Sequence, residues 1–181
     1  MFNKEGQRLI FSYDSEKLWI EPWGDNALRI RATKMAEMPT EDWALLSHDN
    51  DSMADISITP YGATIVNGKI KAELNSAGKI TFYNQKGELL LEEYVRNRRE
   101  YTFQPNTKPT GFASALEIEA REFKPILGGD YSITVRFEST REEKIFGMGQ
   151  YQQPFLNLKG CDLELAQRNS QASVPFMISN L

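Results

Sequence analysis

A chain of 181 residues, 40% hydrophobic and 25% charged, is long enough to bury one sizeable core and has too ordinary a composition to be disordered. Its formal net charge of -4, with acidic and basic residues interspersed, offers no broad basic face to phosphates and argues against nucleic acid as a partner. The single cysteine, Cys161, excludes an intrachain disulfide, the lone His48 belongs to no metal-spaced cluster, and no apolar run reaches the ~20 residues needed to cross a bilayer.

The opening Met1-Phe2-Asn3-Lys4-Glu5-Gly6 has no apolar core of a leader behind its lysine, so a cytoplasmic location is expected if this is the native start. Strands are predicted at 8–13, 17–21 and 27–34. A short helix is predicted at 39–46, where Thr40 can cap and Asp42 falls in the first turn, inside an excursion at 37–54. Further strands follow at 55–58, at 63–74 with an Asn67-Gly68 turn inside, at 79–83 and at 88–95. The stretch 104–111, with two prolines and a glycine, is read as a loop. Strands at 112–123, 131–139, 144–147 and 174–179 complete the set.

The reason for reading strands is a period of two. Lys69-Ile70-Lys71-Ala72-Glu73-Leu74, Leu116-Glu117-Ile118-Glu119-Ala120 and Tyr131-Ser132-Ile133-Thr134-Val135-Arg136-Phe137-Glu138 each place apolar side chains on one face. Asn67-Gly68, Ser76-Ala77-Gly78, Asn84-Gln85-Lys86-Gly87 and Gly128-Gly129-Asp130 supply the positive φ of tight turns between them. Short antiparallel strands at such intervals make an all-β antiparallel sandwich or barrel, and with no linker dividing the chain, residues 1–181 are expected to form a single domain.

Candidate chemistry is sparse. His48 would have to serve any Ser-His-Asp or Cys-His nucleophile, yet nothing around Ser47-His48-Asp49-Asn50-Asp51 marks a nucleophile turn. The same acidic loop fails as an EF-hand, because Ala54 stands where glycine is needed and Pro60 where glutamate is needed. Adjacent carboxylates such as Glu92-Glu93 and Glu142-Glu143 point to opposite faces of a strand and cannot act as a glycosidase pair. The basic run Arg96, Arg98 and Arg99 between Tyr94 and Tyr101 is balanced by Glu92, Glu93 and Glu100 and reads as a solvated face. Trp19 is assigned to the core by its place in an alternating strand, while Trp23 and Trp43 are open to stacking on sugar or packing on a neighbouring domain. The loop 151–173 carries Gln152, Gln153, Asn157, Gln167 and Asn169 beside the preceding Gln150, neutral donors and acceptors suited to sugar hydroxyls.

The segment Glu143-Lys144-Ile145-Phe146-Gly147-Met148-Gly149-Gln150-Tyr151-Gln152-Gln153-Pro154-Phe155, then Val174-Pro175-Phe176-Met177-Ile178-Ser179-Asn180, resembles the N-terminal sandwich of glycoside hydrolase family 31. Lys17-Leu18-Trp19-Ile20-Glu21-Pro22-Trp23, Ala27-Leu28-Arg29-Ile30-Arg31-Ala32 and Ile80-Thr81-Phe82-Tyr83 fall in the order found there, so the resemblance covers essentially the whole chain. It implies a galactose-mutarotase-like supersandwich, incomplete at its C-terminus, followed in the parent enzyme by a catalytic (β/α)8 barrel absent from this chain. The parent is then a retaining α-glycosidase, α-xylosidase or α-glucosidase in type, with both catalytic aspartates outside the chain and no cofactor. A sugar epimerase on the same fold would need two histidines, and this chain has one.

The resemblance also implies that the loop 151–173 leans over the barrel mouth and lends side chains to substrate. Matching from Lys159-Gly160 places Ala166 where many members have Trp and Asn169 where they have Asp, with Arg168 between; Gln150 replaces a frequent Glu. Asn169, Arg168, Gln167 and Gln152 are the expected substrate-binding residues, with no catalytic or metal-binding residue in the chain. Expected partners are an oligosaccharide or α-glycoside and the barrel domain. A homo-oligomer is a further expectation, since the apolar ending 174–181 leaves an open strand edge. The alternative is a free-standing carbohydrate-binding or interaction module.

Overall fold

The computed structural model describes residues 1–42, 44–45, 53–96 and 118–181. His48 with its acidic loop, Trp43, Arg98, Arg99, the predicted loop 104–111 and residues 112–117 of a predicted strand lie outside the described residues. The chain divides into two compact units, Met1–Glu138 and Ser139–Leu181.

In the first unit, β1 (Phe2–Glu5), β2 (Arg8–Tyr13), β3 (Glu16–Trp23) and β4 (Ala27–Thr33) form a four-stranded antiparallel sheet in sequence order. A second sheet runs β5 (Asp55–Thr59), β6 (Gly62–Asn67), β7 (Ile70–Asn75), β8 (Ile80–Asn84) and β9 (Leu89–Glu92), again antiparallel and in order. The sheets bury one shared cluster: Leu9, Phe11, Leu18 and Ile20 from the first, Ala63, Ile65, Ala72, Leu74, Ile80 and Phe82 from the second. Each of these larger side chains, fully buried, contributes about 1.5–3 kcal/mol of transfer free energy, which makes this cluster the main stabilising feature of the sandwich. The all-β antiparallel sandwich read from the sequence is therefore the observed fold.

Polar ties close two ends of the sandwich. The buried Asn67 donates from Nδ2 to the carbonyl oxygens of Gly24 (2.8 Å) and Ala27 (2.7 Å), binding the β6–β7 turn to the β3–β4 turn. Gly68 follows at φ 57°, and a Cβ there would overlap the Asp25 carbonyl oxygen, which is why this turn needs Asn-Gly. Elsewhere Arg121 reaches the Gly78 carbonyl (2.8 Å) while bonding Glu16 and Glu93.

Several expectations need correction. No helix forms among the described residues of 39–46; Asp42, expected in its first turn, instead pairs with Arg29, and the Pro39 carbonyl accepts from Arg31 at 3.0 Å. Two turns of helix are too short to compete with these contacts to β4. Trp19 is not a core residue. It stands on the outer face beside Ile10 and Arg31, with the Arg8 guanidinium 3.7 Å from its ring centroid and that of Arg31 at 5.0 Å. Its neighbours Leu18 and Ile20 take the core positions, so the alternation was read correctly and its phase was not.

The first unit also holds the hairpin β10 (Arg121–Pro125) and β11 (Tyr131–Val135). The predicted strand 131–139 is regular only to Val135, with an isolated bridge from Phe137 to Glu93 beyond it. Its alternating face, Ile133, Val135 and Phe137, is exposed where a buried one was expected. Period two identifies which side chains share a face and carries no information about what covers that face.

Candidate functional site

The loop with sugar-suited side chains lies in the second unit, between β12 (Ile145–Gln150) and β13 (Ala172–Ser179), which pair as an antiparallel ribbon. The register breaks in its middle: Gly147 pairs with Met177 and Gly149 with Ser173, leaving Met148 opposite Val174-Pro175-Phe176. Pro175 has no N–H to give a ladder, so the strand bulges there. On the facing strand Gly147, Met148 and Gly149 all have positive φ, at 99°, 64° and 106°. A Cβ at Gly147 would overlap the Phe176 carbonyl oxygen, and one at Gly149 that of Ala172. This explains the Gly-Met-Gly sequence physically: the bulge demands glycines on both sides of Met148.

The loop leaves this bulge in two parts. Its first half folds back along β12, where Asn157 Oδ1 accepts from the amides of Ile145 (3.0 Å) and Lys159 (3.3 Å), and Leu158 donates to the Ile145 carbonyl at 2.7 Å. Leu158 is buried, so this half is packed structure, and Asn157 is committed to it.

The second half carries the predicted residues. The Gln171 amide donates to the Arg168 carbonyl at 3.0 Å, closing a turn with Asn169 and Ser170 at its tip. Gln167 grips the base of that turn with both ends of its amide: Nε2 donates to the Gln171 carbonyl at 2.7 Å, and Oε1 accepts from the Ser173 amide at 3.2 Å. Gln152 reaches across from the opposite side and donates to Ser170 Oγ at 3.1 Å. Arg168 pairs with Glu164, both largely exposed, an interaction worth little in water. Asn169 is exposed and makes no hydrogen bond to another described residue. The four predicted residues are thus brought together, three in contacts within the chain and one at the tip.

Ser173 was missed by sequence reasoning. Its Oγ accepts from the Tyr151 hydroxyl (3.1 Å) and donates to the Ala166 carbonyl (3.0 Å), while its amide meets Gln167. It joins both ends of the loop at the point where the bulge ends. A serine at a strand start is too common for its sequence neighbourhood to have revealed this.

Perturbed ionisation elsewhere has a structural cause. Burial pushes the Glu93 carboxyl up, with the Arg121 guanidinium working against that shift. Glu93 also accepts from the Ile80 amide at 2.8 Å, and Arg121 bonds Glu16 as well, so both charges are committed to holding strands together. Burial works against the charge on Arg121, and the two carboxylates outweigh it, raising its affinity for the proton. A cavity of about 210 Å³ beside this cluster is lined by Tyr13, Glu16, Lys34, Lys79 and Arg121, a mixture of charges that defines no ligand. Among the described residues no group of three or more His, Cys, Asp or Glu is placed to hold a metal ion.

No family model matches the chain. A protein of Pseudescherichia vulneris named as an uncharacterized family 31 glucosidase is 51% identical over 170 residues, which cover 93% of this chain and 32% of that protein. Among solved structures, a family 31 α-xylosidase from a soil metagenome, crystallised with xylose, is 50% identical over 99% of this chain and 26% of its own, with a TM-score of 0.88. An α-xylosidase from Xanthomonas citri (TM-score 0.68, 20% identical, 98% of this chain, 18% of its own) and a dextranase from Flavobacterium johnsoniae (0.67, 17%, 99% and 21%) share the fold. The chain spans about a third of the glucosidase's length and about a quarter of the soil α-xylosidase's. On these matches the chain is similar, over nearly all of its length, to part of the glycoside hydrolases of family 31.

Proposed function

We propose that the chain is the non-catalytic N-terminal domain of a retaining α-glycosidase that removes terminal α-xylosyl or α-glucosyl residues. It packs on a catalytic barrel and lends the loop 151–173 to the substrate, with Asn169, Arg168, Gln167 and Gln152 as the residues nearest the sugar. What carries this reading is the half-identity, over nearly the whole chain, to an α-xylosidase crystallised with xylose. The exposed apolar side chains of Val174, Phe176 and Ile178 on β13 support packing against further polypeptide, because such a strip is costly to leave in water.

The test is the activity of the enzyme that carries this chain. Hydrolysis of p-nitrophenyl α-xyloside or α-glucoside is expected, and Asn169→Ala should raise KM by roughly tenfold, the loss of one or two hydrogen bonds to sugar hydroxyls. Wild-type enzyme inert on both substrates overturns the reading.

A further inference from the structure

We infer that Gln167 is a positioning residue: its side-chain amide clamps the base of the 168–171 turn and so fixes the direction in which Asn169 is presented. The inference rests on the proposed substrate role of this loop and assigns different work to residues within it.

The geometry separates clamp from tip. Both ends of the Gln167 amide are engaged within the chain, Nε2 by the Gln171 carbonyl and Oε1 by the Ser173 amide, so its side chain is held in one direction across the base of the turn. These two bonds straddle Ala172, the first residue of β13, so Gln167 joins the turn directly to the ribbon. Ser173 continues the connection through Ala166 and Tyr151. Gln152 braces the tip itself at Ser170. Behind this assembly lies the bulge set by Gly149 and Pro175, which aims the end of the ribbon, as bulges do where a side chain must be re-aimed. Asn169 is left at the tip, exposed and with its amide free of bonds to described residues.

A short exposed turn without its clamp samples many orientations, and a ligand then selects the competent fraction, which weakens apparent binding by that fraction. Loss of the clamp should therefore appear in KM, while groups that act on the glycosidic bond keep their kcat.

Two measurements on two variants decide the matter. Gln167→Met keeps the length of the side chain and removes both hydrogen bonds; Gln167→Glu keeps the acceptor for Ser173 and loses the donor to Gln171. In the 181-residue chain, amide hydrogen exchange at Ser173 should quicken by roughly tenfold in Gln167→Met and return toward wild type in Gln167→Glu, with β3 and β7 unchanged. In the enzyme that carries the chain, Gln167→Met should raise KM for the aryl α-glycoside by roughly five- to tenfold with kcat within about twofold, and Gln167→Glu should recover part of that loss. Unchanged Ser173 exchange in Gln167→Met overturns the clamp, whatever the enzyme does. Faster exchange with unaltered KM overturns its role in presenting Asn169 to substrate. An enzyme without glycosidase activity overturns the parent reading instead, and the exchange result still decides the clamp.

Discussion

Arg121 donates to the carboxylate of Glu93 across the edge of the sandwich, and both side chains are almost fully withdrawn from solvent, 6% and 3% exposed. Such a pair is costly to break singly, because the surviving charge stays buried without its partner. Arg121→Met should lower unfolding free energy by about 3–5 kcal/mol, measured by urea denaturation of the chain. The double variant Glu93→Leu, Arg121→Met should recover at least half of that loss. Equal losses in the single and double variants would mean that packing around the aliphatic stem, rather than the ion pair, holds the site.

The pH dependence has two opposite signs. The Glu122 carboxyl is held below its ordinary range by hydrogen bonds from Arg136 and Lys124. Its stabilising contribution is complete above the unfolded-state pKa and is lost as pH falls through the folded value, so the advantage of wild type over Glu122→Gln should shrink on acidification. Glu93 is shifted upward by burial, so its favourable contribution is complete below the unfolded-state pKa and is lost as pH rises through the folded value. The stability difference between wild type and Glu93→Gln should therefore move against wild type as pH rises from acid toward neutral. Thermal unfolding of the three proteins between acid and neutral pH checks both signs, and a Glu93 difference that moves in favour of wild type with rising pH would contradict the upward shift.

Gly149 and Gly128 offer a matched pair. Their φ angles are 106° and 107°, but a Cβ at Gly149 would overlap the Ala172 carbonyl oxygen, while one at Gly128 finds nothing within 4 Å. Both substitutions to Ala incur the strain of positive φ, about 1–3 kcal/mol. Gly149→Ala adds a steric clash in the ribbon, and so should also speed proteolysis within the loop 151–173, whereas Gly128→Ala should leave that loop as resistant as in wild type. Indistinguishable proteolysis would show that the bulge tolerates a side chain.

What the sequence made legible was mostly what period two and turn chemistry encode. β3, β6, β7 and β8 lie within a residue or two of their predicted bounds, because alternation and the Asn67-Gly68 turn leave little choice of register. β1 was not foreseen: Phe2-Asn3-Lys4-Glu5 has no alternation, and its place comes from pairing with β2. The β2–β3 hairpin turns on Asp14 and Ser15, both at positive φ, with no glycine to announce it. At the candidate site, sequence reading named the polar side chains of the loop but not the pattern of hydrogen bonds among them. That depends on Ser173 and on the register break at Met148, which only the paired strands reveal.

The central claim is that this chain supports glycoside hydrolysis without performing it, and the most direct measurement is turnover of p-nitrophenyl α-xyloside and α-glucoside by the 181-residue chain beside the enzyme that carries it. The account predicts turnover by the enzyme and none by the chain. Turnover by the chain alone would contradict it, since the catalytic groups would then have to lie between Met1 and Leu181.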